Sequence, residues 1–164
     1  MACNQARTGE MCNFEIDYST VTGDKILAFV ITSDLADCVL CPKAGQYQKF
    51  CYDVKAVGKE DSKFADLSHL VLGICDQISE AEIKNITVMV NGEEQIVDFG
   101  RSGNVELSTE WEGLMFNFPL NKVNGTMKLS FEVTEPRVVD HIDFCLFGEG
   151  IAAQGLKICG PTCK

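Results

Sequence analysis

Phe50-Cys51-Tyr52-Asp53-Val54-Lys55-Ala56-Val57 alternates cleanly, and this alternation decides the fold class. Side chains of a β-strand point to opposite faces in turn, so Phe50, Tyr52, Val54 and Ala56 share one face. Cys51, Asp53 and Lys55 share the other. One side is built for a core and the other for a wetter surface.

The same period extends outward. Met127, Leu129, Phe131 and Val133 alternate with Lys128, Ser130, Glu132 and Thr134, and Leu70, Leu72 and Ile74 oppose Val71, Gly73 and Cys75. Residues 25–32 are short and rich in β-formers, as a buried strand is. The stretch from Ile86 to Phe99 predicts a hairpin, because its central Asn91-Gly92 pair tolerates the positive φ angles of a tight turn. Residues 113–118 and 126–134 are expected to form a second antiparallel pair across Pro119 and Asn124-Gly125. Residues 142–147 and 155–159 supply the last strands. Residues 34–48 carry Pro42 and Gly45 and read as a loop, and residues 79–84 are too short for more than a turn. The expectation is an all-β fold, a two-sheet antiparallel β-sandwich or jelly roll of about eight to ten strands. It comprises a flexible N-terminal arm (residues 1–12), a sandwich domain (residues 13–158) and a cysteine-containing C-terminal tail (residues 159–164).

The chain has 164 residues, a hydrophobic share of 46% and a formal net charge of −10. A chain of this length buries roughly 70% of its unfolded surface, so it needs no staple merely to fold. The negative charge disfavours nucleic acid, whose phosphates are met by Lys and Arg. The longest apolar stretches are strand-sized, so no membrane insertion is expected. The start of the chain has no apolar segment of the kind a Sec signal peptide needs.

Nine cysteines are the outlier, and an odd number cannot all pair within one monomer. Cys3 and Cys12 lie on the arm, and Cys159 and Cys163 lie at the C-terminus, where a chain reaches a neighbour without distorting its fold. Cys51, Cys75 and Cys145 point away from the apolar face of their strands and are expected to accept a neighbour's terminal cysteines. All seven are intersubunit disulfide candidates, with Cys3 and Cys12 first; for Cys51, Cys75 and Cys145 an intramolecular bond or a buried thiol is the competing reading. Cys38-Val39-Leu40-Cys41 has C-x-x-C spacing, but Pro42 follows and the βαβ setting of a redox site is missing. Cys38 and Cys41 are candidates for an intrachain disulfide or, alternatively, for half of a Cys₄ zinc site completed by Cys159 and Cys163 or by Cys51 and Cys75.

No catalytic set is expected. His69 and His141 lack a companion nucleophile motif and read as hydrogen-bonded strand histidines. Acidic pairs such as Glu93 and Glu94 lack the ligand spacing of a calcium loop, and no cofactor is expected.

Leu67-Ser68-His69-Leu70-Val71-Leu72-Gly73-Ile74-Cys75 resembles a segment that recurs in bacterial surface β-sandwich domains. The cysteine-rich ends, including Ile158-Cys159-Gly160-Pro161-Thr162-Cys163, resemble those of bacterial spore-surface and spore-appendage subunits. That resemblance implies mother-cell synthesis without a signal peptide, a jelly-roll fold, and terminal arms disulfide-bonded to neighbouring subunits. The expected function is a structural subunit that self-assembles, with copies of itself as partners, into an extracellular or spore-surface fibre or coat. The rival expectations are a carbohydrate- or protein-binding module using Trp111, Tyr47 and Phe64, and a zinc-stabilised intracellular domain.

Overall fold

The computed structural model describes residues 25–34, 38–108 and 112–163, with the backbone of residues 15–17. Its strands are β1 (Glu15–Asp17), β2 (Phe29–Ser33), β3 (Gln48–Ala56), β4 (His69–Leu72), β5 (Ile83–Val90), β6 (Glu93–Glu94), β7 (Val105–Ser108), β8 (Gly113–Phe116), β9 (Thr126–Val133), β10 (Val139–Gly148) and β11 (Ile151–Pro161). A single 3₁₀ turn at Glu80–Glu82 is the one helical element among the described residues. Nine strands have four or more residues, within the range that the alternation predicts.

Two antiparallel sheets form the sandwich. The six-stranded sheet has the order β1-β2-β3-β9-β5-β6, and the five-stranded sheet has the order β11-β10-β4-β8-β7. Their inner faces meet in one core. Phe29, Phe50, Tyr52, Leu129 and Phe131 come from the first sheet, and Leu70, Leu72, Phe116, Phe144 and Ile158 come from the second. Phe50 and Phe131 are cross-strand partners whose rings stack at 5.6 Å between centroids. Such pairs add about 0.5–1.5 kcal/mol beyond the burial of their area. Every residue that the alternation put on the inner face of β3 and β9 lies in this core.

Asn91 and Gly92 both take positive φ (53° and 81°), so the predicted hairpin turn closes β5 onto β6. The pairing of residues 113–118 with 126–134 is a correction. β8 pairs with β4 and β7 in one sheet, whereas β9 pairs with β3 and β5 in the other. The chain between them crosses the edge of the sandwich. Phe118 and Leu120 are buried on the way, and Leu120 exchanges backbone hydrogen bonds with Leu67. The Asn121 side chain accepts from the Val123 and Asn124 amides and turns the chain into β9. Packing the two apolar faces against each other buries both, which a flat hairpin in one sheet leaves undone.

The C-terminal boundary also moves. β11 runs through Cys159 to Pro161, and Thr162 donates to the Val138 carbonyl through both its amide and its hydroxyl. Cys159 ends the strand expected over residues 155–159, and Gly160 and Pro161, expected in the tail, extend it as buried strand; Pro161 is tolerated because β11 is an edge strand. The arm of residues 1–12 lies outside the described residues.

Candidate functional site: the cysteines and the groove at Cys145

Cys75 follows β4 and Cys163 follows β11, and the two are joined by a disulfide within the chain, their Cα atoms 6.2 Å apart. Both were expected among the intersubunit candidates; the fold brings them together because the strand order carries β11 to the same end of the sheet as the loop after β4. Cys41 and Cys159 are each disulfide-bonded as well. Cys159 is buried in β11, where its carbonyl accepts the Tyr52 hydroxyl at 2.7 Å. Cys3 and Cys12 lie outside the described residues.

The C-x-x-C spacing does not unite Cys38 with Cys41, because Cys38 carries a free thiol and Cys41 does not. Two ladder-like hydrogen bonds between Val39 and Lys49, at 3.0 and 2.8 Å, instead lay the 38–40 segment along the start of β3. This places the Cys38 sulfur beside Cys51, whose amide donates to it at 2.9 Å. Cys51 lies on the outer face of β3, as the alternation predicts, yet this loop buries it. A Cys₄ zinc site is not assembled: Cys75 and Cys163 are consumed by their bond, and no group of three or more metal-ligating side chains occurs among the described residues.

Cys145 remains, a half-buried free thiol on β10. The β10–β11 pairing shifts register at this residue, with Phe144 opposite Leu156 and Leu146 opposite Ala153. One residue of β10 therefore faces two of β11, Gln154 and Gly155, which makes a β-bulge. Gly155 holds the bulge open with φ of 77°, a conformation that a side chain would strain. Cys145, on the outward phase of β10 with Asp143, lines a groove of about 720 Å³. Its walls come from all five strands of the sheet, among them Leu107, Val71, Cys145 and Gln154, and from the loop through Ile78. Asp76, Glu112 and Asp143 also line it, and Asp143 is ion-paired with Lys157. Burial pushes the Cys145 thiol above its ordinary range, and the charge of Asp143 adds to the effect. The thiol therefore stays protonated at neutral pH and reacts only after losing its proton.

The remaining sequence candidates are scattered. His69, on β4, stacks on Phe147 at 4.6 Å, with its Nδ1 3.1 Å from the Ser68 hydroxyl; His141 is exposed on β10. Tyr47 is exposed, Phe64 lies under the Lys63 ammonium, and Trp111 lies outside the described residues. Sequence reasoning missed Gln48, a buried side chain with three hydrogen bonds. It donates to the Leu40 and Arg137 carbonyls and accepts from the Arg137 amide, so it ties the cysteine-bearing loop to the β9–β10 connection. Its place on the inward phase of β3, in step with Phe50 and Tyr52, was the available signal. No helix among the described residues is long and apolar enough to cross a membrane.

Compared with protein-family models, with curated proteins and with solved structures, the chain matches none.

Proposed function

We propose that this protein is a structural subunit that self-assembles into an extracellular or spore-surface fibre or coat, cross-linked by disulfides between copies. The observation that carries the proposal is Cys145: a free, half-buried thiol that lines a groove of about 720 Å³. In this reading the neighbour's arm, residues 1–12, occupies the groove and presents Cys3 or Cys12 to Cys145. The acidic lining suits the arm's Arg7 and amino terminus. Each bond forms by oxidation of two thiols, with a small-molecule disulfide reduced to two thiols in exchange.

A second feature supports assembly. β11, among the described residues, pairs only with β10, and the outer edge of its partly exposed first part, residues 151–157, offers main-chain donors and acceptors to an added strand. At the far edge of the other sheet Ile96 is 89% exposed, an apolar contact for a second copy. The net charge of −10 opposes association until specific contacts form.

The test is negative-stain electron microscopy with matched non-reducing gels, on the full chain, Cys145→Ser, and a deletion of residues 1–12. Regular polymers with covalent ladders that collapse on reduction, and that both variants lose, are expected. Ladders that persist in Cys145→Ser would remove Cys145 from the cross-link. Monodisperse monomer in every oxidising condition would refute self-assembly.

A further inference from the structure

The pair Cys38 and Cys51 is independent of that cross-link. The Cys51 amide donates to the Cys38 sulfur at 2.9 Å, and the Cys38 thiol donates to the Cys51 carbonyl at 3.6 Å. They sit on adjacent antiparallel segments held by the Val39–Lys49 bridge. A small void of about 10 Å³ is lined by both residues together with Ser33, Leu40 and Cys159. Cys38 is half-buried and Cys51 buried, so a reagent from solvent meets Cys38 first.

We propose that Cys38 and Cys51 are a redox-active dithiol that closes into a disulfide on reaction with a small-molecule disulfide, fixing the 38–41 loop to β3. The Cys38 sulfur, after losing its proton, attacks one sulfur of the reagent and expels the other half as a thiolate. The Cys51 sulfur, likewise deprotonated, then attacks the Cys38 sulfur of the mixed disulfide and expels the second thiolate. Two protein thiols are oxidised by two electrons, the reagent is reduced to two thiols, and the two protons end on those thiols. The hydrogen bond to Cys51, followed by burial, raises the Cys38 thiol far above its ordinary range. The pair therefore keeps its protons and persists as a dithiol until an oxidant is supplied.

The consequence falls on Cys41. It is three residues from Cys38 and is itself disulfide-bonded. Closing the Cys38–Cys51 bond fixes the base of the loop that carries Cys41, so the oxidised protein holds that second bond in a narrower set of positions.

Purified full-length Cys145→Ser protein, which removes the half-exposed thiol, is treated with oxidised glutathione, then denatured, alkylated and digested without reduction. The expected result is a Cys38–Cys51-linked peptide pair and loss of alkylation at both residues together. In Cys38→Ser/Cys145→Ser the linked pair is absent and Cys51 remains fully alkylated after denaturation. Alkylation retained at both cysteines in the oxidised sample, or a link from either one to a different cysteine, overturns the proposal. Because Cys145 is absent throughout, the outcome is separate from that of the polymerisation experiment.

Discussion

Removing the Cys75–Cys163 disulfide is expected to lower stability by several kcal/mol. The bond closes a loop with a sequence separation of 88 residues. Chain-entropy arithmetic for a loop of that length gives about 4.6 kcal/mol of stabilisation at 25 °C, through the freedom it denies the unfolded chain. For a domain of this size each kcal/mol moves the midpoint by about 2–4 °C, so the full effect corresponds to roughly 9–18 °C. The perturbation is the double variant Cys75→Ser/Cys163→Ser, which leaves no orphaned thiol at either position. Reduction is unsuitable, because it also breaks the bonds of Cys41 and Cys159. Scanning calorimetry of wild type and double variant, both without reductant, reads the difference. The variant is expected to stay folded, since Thr162 still anchors the C-terminus to Val138 and the core contacts are intact. A midpoint within about 2 °C of wild type would refute the reasoning, because it leaves less than about 1 kcal/mol for the bond.

Three further outcomes follow from single side chains. Gln48→Leu removes three hydrogen bonds, those to the Leu40 and Arg137 carbonyls and from the Arg137 amide, with an expected loss of about 2–4 kcal/mol in urea unfolding; a loss under about 1 kcal/mol would show that water replaces the side chain. Tyr52→Phe leaves the Cys159 carbonyl without the hydroxyl and is expected to cost about 1–2 kcal/mol at neutral pH. Burial, foremost, raises the Tyr52 hydroxyl in the folded state, so its contribution is complete below the unfolded tyrosine value and is lost as pH rises through the folded one. The phenylalanine variant should therefore lose less stability than wild type between neutral and strongly alkaline pH, and parallel curves would contradict the assignment. Glu149 is lowered by its hydrogen bond with Lys25 and then by the Asp66 amide. Its contribution is present above the unfolded carboxylate value and fades as pH falls through the folded value, so Glu149→Gln should show a shallower acid limb than wild type; an unchanged acid limb counts against the link.

The cysteine site was legible only in part. Counting residues shows that nine cysteines leave at least one without an intrachain partner, and strand alternation places Cys51 on the outer face of β3. Pairing is another matter. Cys75 and Cys163 meet because the strand order brings their loops together, and spacing along the chain carries no trace of that. Cys38 belongs with Cys51 rather than with Cys41 because the Val39–Lys49 bridge sets the register of the loop against β3. Alternation also puts Cys145 on the outer face of β10, whereas the bulge opposite it arises from a register shift between two strands, and Gly155 alone hints at it.

What the sequence determined by itself is local: the inward phase of β3 and β9, the hairpin at Asn91-Gly92, and an all-β chain with nine cysteines. The period of two is a property of a single strand's backbone, so it can be read from a single strand. Tertiary structure decided which strand lies beside which. It sent β8 and β9 to opposite sheets and closed Cys75 onto Cys163. Those choices depend on burying two apolar faces against each other at once, a condition on the whole chain that no single segment carries.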